Sequence, residues 1–124
     1  MEDYCTYEQS VALKELGFDW RCYTWYHWDS WFGLTRSGMY ENHNMFEKSI
    51  SAPTLAQAQK WLRDVKDLIL CVGFDSQYYW YLCQSDGTVI DGDDEISTYQ
   101  TYESALSEGI NRAIKILTDN TEKI

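Results

Sequence analysis

Two short β-prone runs, Leu68–Phe74 and Tyr78–Gln84, are separated only by Asp75-Ser76-Gln77. Each is too short for a helix, and runs this close together predict an antiparallel hairpin. A turn at Asp75-Ser76 sets Val72 opposite Tyr79 and Leu70 opposite Tyr81. Leu68, Leu70, Val72, Tyr79, Tyr81 and Cys83 then share one face, and Ile69, Cys71, Tyr78, Trp80 and Leu82 share the other. Neither face is polar. Both must therefore be covered, by helices or by a partner chain.

The flanking segments supply helices. Thr54 with Gln57 has capping-box spacing: the hydroxyl accepts from the Gln57 N–H and the amide reaches back. Leu55, Ala58, Trp61, Leu62 and Val65 follow at helical spacing, which predicts a helix to about Lys66 with Trp61 as its largest core group. After the hairpin, Ser85-Asp86-Gly87-Thr88 is a turn and Val89-Ile90 starts a third strand. Asp91, Gly92, Asp93, Asp94 and Glu95 make an acidic turn, and Ile96 to Tyr99 reads as a further strand. Thr101 caps the last helix, whose stripe is Leu106, Ile110, Ala113 and Leu117. Glu103 near its start, Arg112 and Lys115 near its end, and the Glu108–Arg112 pair all suit the helix dipole. Gly109 inside it costs about 1 kcal/mol of propensity, which a close approach to another backbone would justify. Residues 52–117 thus read as an α-β-β-(β)-α unit.

Residues 1–51 read as an extension packed on that unit. Thr6 and Gln9 repeat the capping spacing, and Val11, Ala12, Leu13 and Leu16 give a short helix. Gly17 suits its left-handed C′ position, with Phe18 touching Leu13. Arg21 to Trp28 is a strand, Asp29-Ser30 turns it back through Trp31 to Leu34, and Arg36-Ser37-Gly38 is another turn. Glu41 to Ser51 reads as irregular. The expected fold is α+β: one domain of 124 residues, an antiparallel sheet with three helices packed on it.

The net charge of −10 is spread along the chain. It disfavours nucleic acid and anionic membranes, whose affinity comes from Lys and Arg. The α-β-β-(β)-α order also fits a double-stranded-RNA-binding domain, but Asp91 to Glu95 stand where such a domain needs basic residues. No apolar run reaches the length of a membrane span. The acidic start, Met1-Glu2-Asp3-Tyr4, lacks the features of a signal peptide, so the expected compartment is the cytoplasm, with Cys5, Cys22, Cys71 and Cys83 reduced.

Chemistry-bearing motifs are scarce. Asp91, Asp93, Asp94 and Glu95 form an acidic patch, but an EF-hand counted from Asp91 would need Gly at Ile96 and Glu at Tyr102. The patch reads as a solvated turn, with no metal. Cys22, His27 and Asp29 supply a nucleophile, a base and an orienter on paper, without spacing that fixes them together. Cys71 and Cys83 read as small buried hydrophobes. No zinc spacing and no glycine-rich phosphate loop occur, so no cofactor is expected. Aromatic residues are the surplus: six Trp, ten Tyr and four Phe. Alternation along Trp20 to Trp28 puts Trp20, Cys22, Thr24, Tyr26 and Trp28 on one face, and Arg21, Tyr23, Trp25 and His27 on the other. One face enters the core and the other meets solvent or a partner. Tyr23, Trp25, Trp28, Trp31, Tyr78 and Trp80 are the interface candidates.

Three pieces of the chain carry a resemblance. They are Cys5-Thr6-Tyr7-Glu8-Gln9 with Leu13-Lys14-Glu15-Leu16-Gly17-Phe18, then Ser51-Ala52-Pro53-Thr54 with Lys60-Trp61-Leu62-Arg63, then Tyr102-Glu103-Ser104-Ala105-Leu106. In that order they resemble short uncharacterised proteins encoded by phages and prophages of gut bacteria. The resemblance spans most of the chain and is loose from Asp29 to Ile50. It implies a phage setting, in which small acidic proteins often bind and block host proteins. The first expectation is therefore a non-enzymatic protein that engages a host protein, such as a defence component, and that forms a homodimer through leftover apolar surface. The alternatives are sequestration of a nucleotide-like ligand on aromatic faces, and a small thiol-dependent enzyme using Cys22 or Cys5.

Overall fold

A computed structural model of the chain describes residues 3–29, 33–92 and 99–122. The fold is α+β. The chain divides into two compact units, Met1–Thr54 and Leu55–Ile124. Among the described residues no helix is long and apolar enough to cross a membrane.

The first unit opens with helix α1 (Tyr7–Glu15). The Thr6 hydroxyl accepts from the Gln9 N–H, and the Gln9 side chain accepts from the Thr6 N–H, completing the expected capping box. At the other end Gly17 adopts φ 98°. Phe18 N–H then reaches the Leu13 carbonyl at 2.9 Å, and Gly17 N–H the Lys14 carbonyl at 3.1 Å. This is the Schellman arrangement, and it buries Leu13 and Phe18 together in the core.

Strands β1 (Cys22–His27), β2 (Leu34–Glu41) and β3 (Ser49–Ser51) form an antiparallel sheet in the order β2-β1-β3. Cys22 and Thr24 on β1 are buried, while Tyr23 between them is exposed, so this strand alternates as expected. Asn44, in a 3₁₀ turn at His43–Met45, donates to the Phe18 carbonyl at 2.8 Å and accepts from Ser51 N–H at 2.8 Å. Buried His43 donates from Nε2 to the Cys22 carbonyl at 3.0 Å. Lys14 Nζ donates to the Ser49 carbonyl at 2.8 Å.

Two expectations for this unit fail. Residues 41–51 are not irregular, because they hold the 3₁₀ turn and β3, which pairs Ser51 with Trp25 and Ser49 with His27. Arg36-Ser37-Gly38 does not turn the chain. Cys22 pairs with Glu41 and Thr24 with Arg36, so two steps along β1 match five along β2. The turn-like residues are absorbed as an irregularity inside a continuing strand, which is what a bulge does.

The second unit runs α2 (Leu55–Lys66), β4 (Ile69–Asp75), β5 (Gln77–Cys83), β6 (Val89–Gly92) and α3 (Tyr102–Glu122). Its sheet is antiparallel in the order β4-β5-β6, so the expected third strand is present. Trp61, 1% exposed, is buried with Leu55, Ala58 and Leu62. After α2 the chain swings at Asp67, with φ 55°, and Gln59 Nε2 donates to the Leu70 carbonyl at 2.7 Å. Thr101 caps α3 by accepting from Ser104 N–H at 3.1 Å. Ala105, Leu106, Ile110 and Ala113 bury its inner stripe. The two helices pack on each other, and both reach the β4–β5 hairpin or its first strand.

The hairpin register differs from expectation by one residue. Ser76 alone turns the chain, at φ 69°, so Asp75 pairs with Gln77. Val72 then faces Trp80, and Leu70 faces Leu82. A one-residue slip moves every side chain of one strand to the opposite face. The slip has a clear cause in burial: it collects Leu70, Trp80 and Leu82 on one face, each no more than 7% exposed. Ile69, Cys71, Gly73, Tyr79, Tyr81 and Cys83 share the other face, where the tyrosine hydroxyls tolerate water.

Candidate functional site

The most exposed organised surface of the first unit lies on β1 and β2. Tyr23 and Tyr40 are each about half exposed, with ring centroids 4.8 Å apart. The Arg36 guanidinium stands 6.0 Å from the Tyr23 ring centre, within range of a cation–π contact. Met39, next to Tyr40 in the chain, is 63% exposed. Further along the outward side of β1, Trp25 stacks on His43 at 6.0 Å, and half-buried His27 places Nδ1 2.6 Å from Asp29 Oδ1. Trp28 at the end of the strand lines a cavity of about 230 Å³ with Glu47 and Lys48.

The second unit presents aromatic groups at its hairpin tip. Phe74 and Tyr78 pair across the strands with rings 4.9 Å apart, and Tyr102 meets Tyr78 edge-on at 6.1 Å. These groups continue the helix-covered face outward, and Phe74 is 63% exposed. On the opposite face Tyr79 and Tyr81 stack at 6.3 Å, next to Cys71 and Cys83.

The six interface candidates separate. Tyr23 and Trp28 are exposed, while Trp25 and Tyr78 are half-buried. Trp80 is a correction: the register slip carries it into the core at 7% exposure, so it is not a surface anchor. Trp31 lies outside the described residues. Tyr40, Arg36 and Met39 were hidden by reading Arg36-Ser37-Gly38 as a turn. Two apolar residues, Met39-Tyr40, directly after that supposed turn were the signal of a continuing strand.

The acidic patch also changes character. Asp91 belongs to β6, opposite Leu82, and is not part of a solvated turn. Its carboxylate accepts from Arg112 Nε and from Gly92 N–H. The Arg112 hydrogen bond holds the Asp91 carboxyl below the usual range. Asp93, Asp94 and Glu95 lie outside the described residues. Among the described residues no cluster of three or more His, Cys, Asp or Glu is placed to hold a metal ion.

Cys71 and Cys83 are not the buried hydrophobes expected of them. Cys5 and Cys22 are the buried ones, at 0% and 2% exposure, whereas Cys71 and Cys83 are half-exposed. Burial, aided by the neighbouring Cys22, pushes the Cys5 thiol up to about 12. Cys22 faces the core while His27, an odd number of residues along the same strand, points to the outward side. The strand therefore sends Cys22 and His27 to opposite sides. No family model, no curated protein and no solved structure matches this chain.

Proposed function

We propose that this chain is a non-enzymatic binding protein whose Tyr23–Tyr40–Arg36 cluster engages a partner protein. The observation that carries this reading is the cluster itself: two half-exposed tyrosines in ring contact, with a guanidinium held over one of them. Tyr and Arg are the residues in which interface binding energy concentrates. The rings of Tyr23 and Tyr40 already rest on each other, so less side-chain freedom is lost on docking. The net charge of −10 suits a partner with a basic rim around its contact surface. In the phage setting implied by the resemblance, that partner is a host protein, and a defence component is the class of target.

Site-specific photocrosslinking tests the proposal. A benzophenone amino acid replacing Met39 should give one discrete adduct in cells, and the same group replacing exposed Val65 should not. An adduct with a second copy of the chain would assign the cluster to the homodimer instead. Equal adducts from both positions would overturn the reading.

A further inference from the structure

The half-exposed face of the second sheet holds two thiols side by side. Cys71 stands opposite Tyr81 and Cys83 opposite Ile69, which makes the cysteines diagonal neighbours on one face. Both are free and neither is fully buried. Tyr81, directly opposite Cys71, lies between the two cysteines on that face. Cys83 Sγ also donates to the Ile69 carbonyl at 3.8 Å. The stacked rings of Tyr79 and Tyr81 flank the pair. Tyr79 lies over Gly73 so closely that a Cβ there would sit 2.3 Å from its ring. The two thiols thus share one face at diagonal positions beside an aromatic rim.

The diagonal placement discriminates among ligands. A disulfide needs Cβ atoms about 3.8 Å apart, and diagonal positions in an antiparallel pair ordinarily stand farther apart. A cation between the sulfurs inserts two metal–sulfur bonds, each about 2.3 Å for a thiolate, and spans the wider gap. Zinc asks for four ligands, and among the described residues no third or fourth ligand joins these two. Soft thiolates select Cu(I), which two sulfurs satisfy. We propose that Cys71 and Cys83 form a two-coordinate thiolate site for Cu(I).

Binding forms two S–Cu bonds and breaks two S–H bonds. Two protons leave to solvent, and the copper stays Cu(I), so nothing is oxidised or reduced. Because each thiol gives up its proton to bind, affinity rises with pH.

The test titrates the reduced, anaerobic full chain with Cu(I) against bicinchoninate, a chromogenic Cu(I) chelator. One Cu(I) should be withdrawn per chain. Cys71→Ser and Cys83→Ser should each abolish the withdrawal. In wild-type protein, Cu(I) should shield Cys71 and Cys83 from alkylation, read by peptide mass spectrometry without any variant. The proposal is overturned if wild-type protein withdraws no Cu(I), if both serine variants withdraw as much as wild type, or if alkylation of the two thiols is unchanged by the cation.

Discussion

Gly109 of α3 sits against Leu70 of β4 so closely that a Cβ on the glycine would lie 2.3 Å from Leu70 Cδ1 and 3.2 Å from its Cγ. The close approach expected at Gly109 exists, but it is to a side chain and not to another backbone. Leu70 is 3% exposed and has little room to yield. Gly109→Ala should therefore destabilise the protein by about 1–3 kcal/mol through overpacking, although alanine is the better helix former by about 1 kcal/mol. Urea denaturation checks it, and a rise in midpoint would show that the contact relaxes freely.

Trp61→Ala should cost about 3–5 kcal/mol, because the indole is 1% exposed within the core of its unit. A loss under about 1 kcal/mol would contradict that placement.

Much of the fold was legible where one residue type has one structural use. Thr6 with Gln9, Gly17 with Phe18, and Thr101 each mark a helix end by a local hydrogen bond that needs no tertiary context. The hairpin register was not legible. Tyr78 to Leu82 is apolar at every position, so no alternation selects a face, and packing under α3 decides it. The third strand of the first unit was equally hidden, since Ser49-Ile50-Ser51 is too short to carry a period and exists through pairing with β1. Tyr23 was readable as a surface group from strand alternation. Tyr40 was not, because its proximity to Tyr23 depends on an irregularity in β2.

The thiols should react in two classes. In native protein at neutral pH, Cys71 and Cys83 should react first with a thiol reagent, and Cys5 and Cys22 only on unfolding. Simultaneous reaction of all four would contradict the burial.

Stability should fall as pH rises from about 9 toward 12. The Cys5 thiol, ordinarily near 9.0, stays protonated up to about 12 in the fold. In that window the native chain holds a proton that the unfolded chain has lost, so its contribution is complete below pH 9 and declines above it. The full effect from Cys5 is about 4 kcal/mol. Denaturation midpoints measured across the window should flatten in Cys5→Ala. An equal slope in the variant would move the effect to other groups.

The central claim is that Tyr23 and Tyr40 anchor a partner protein, and affinity capture from a host-bacterial extract tests it most directly. Wild-type chain and the Tyr23→Ala/Tyr40→Ala variant, matched by circular dichroism and thermal melting, serve as bait, and the captured protein is then purified and titrated against each. The account predicts one stoichiometric partner for wild type and at least a ~30-fold loss of affinity in the variant, the size of a single interface hot spot of about 2 kcal/mol. Capture of the same partner with equal affinity by both baits would contradict it.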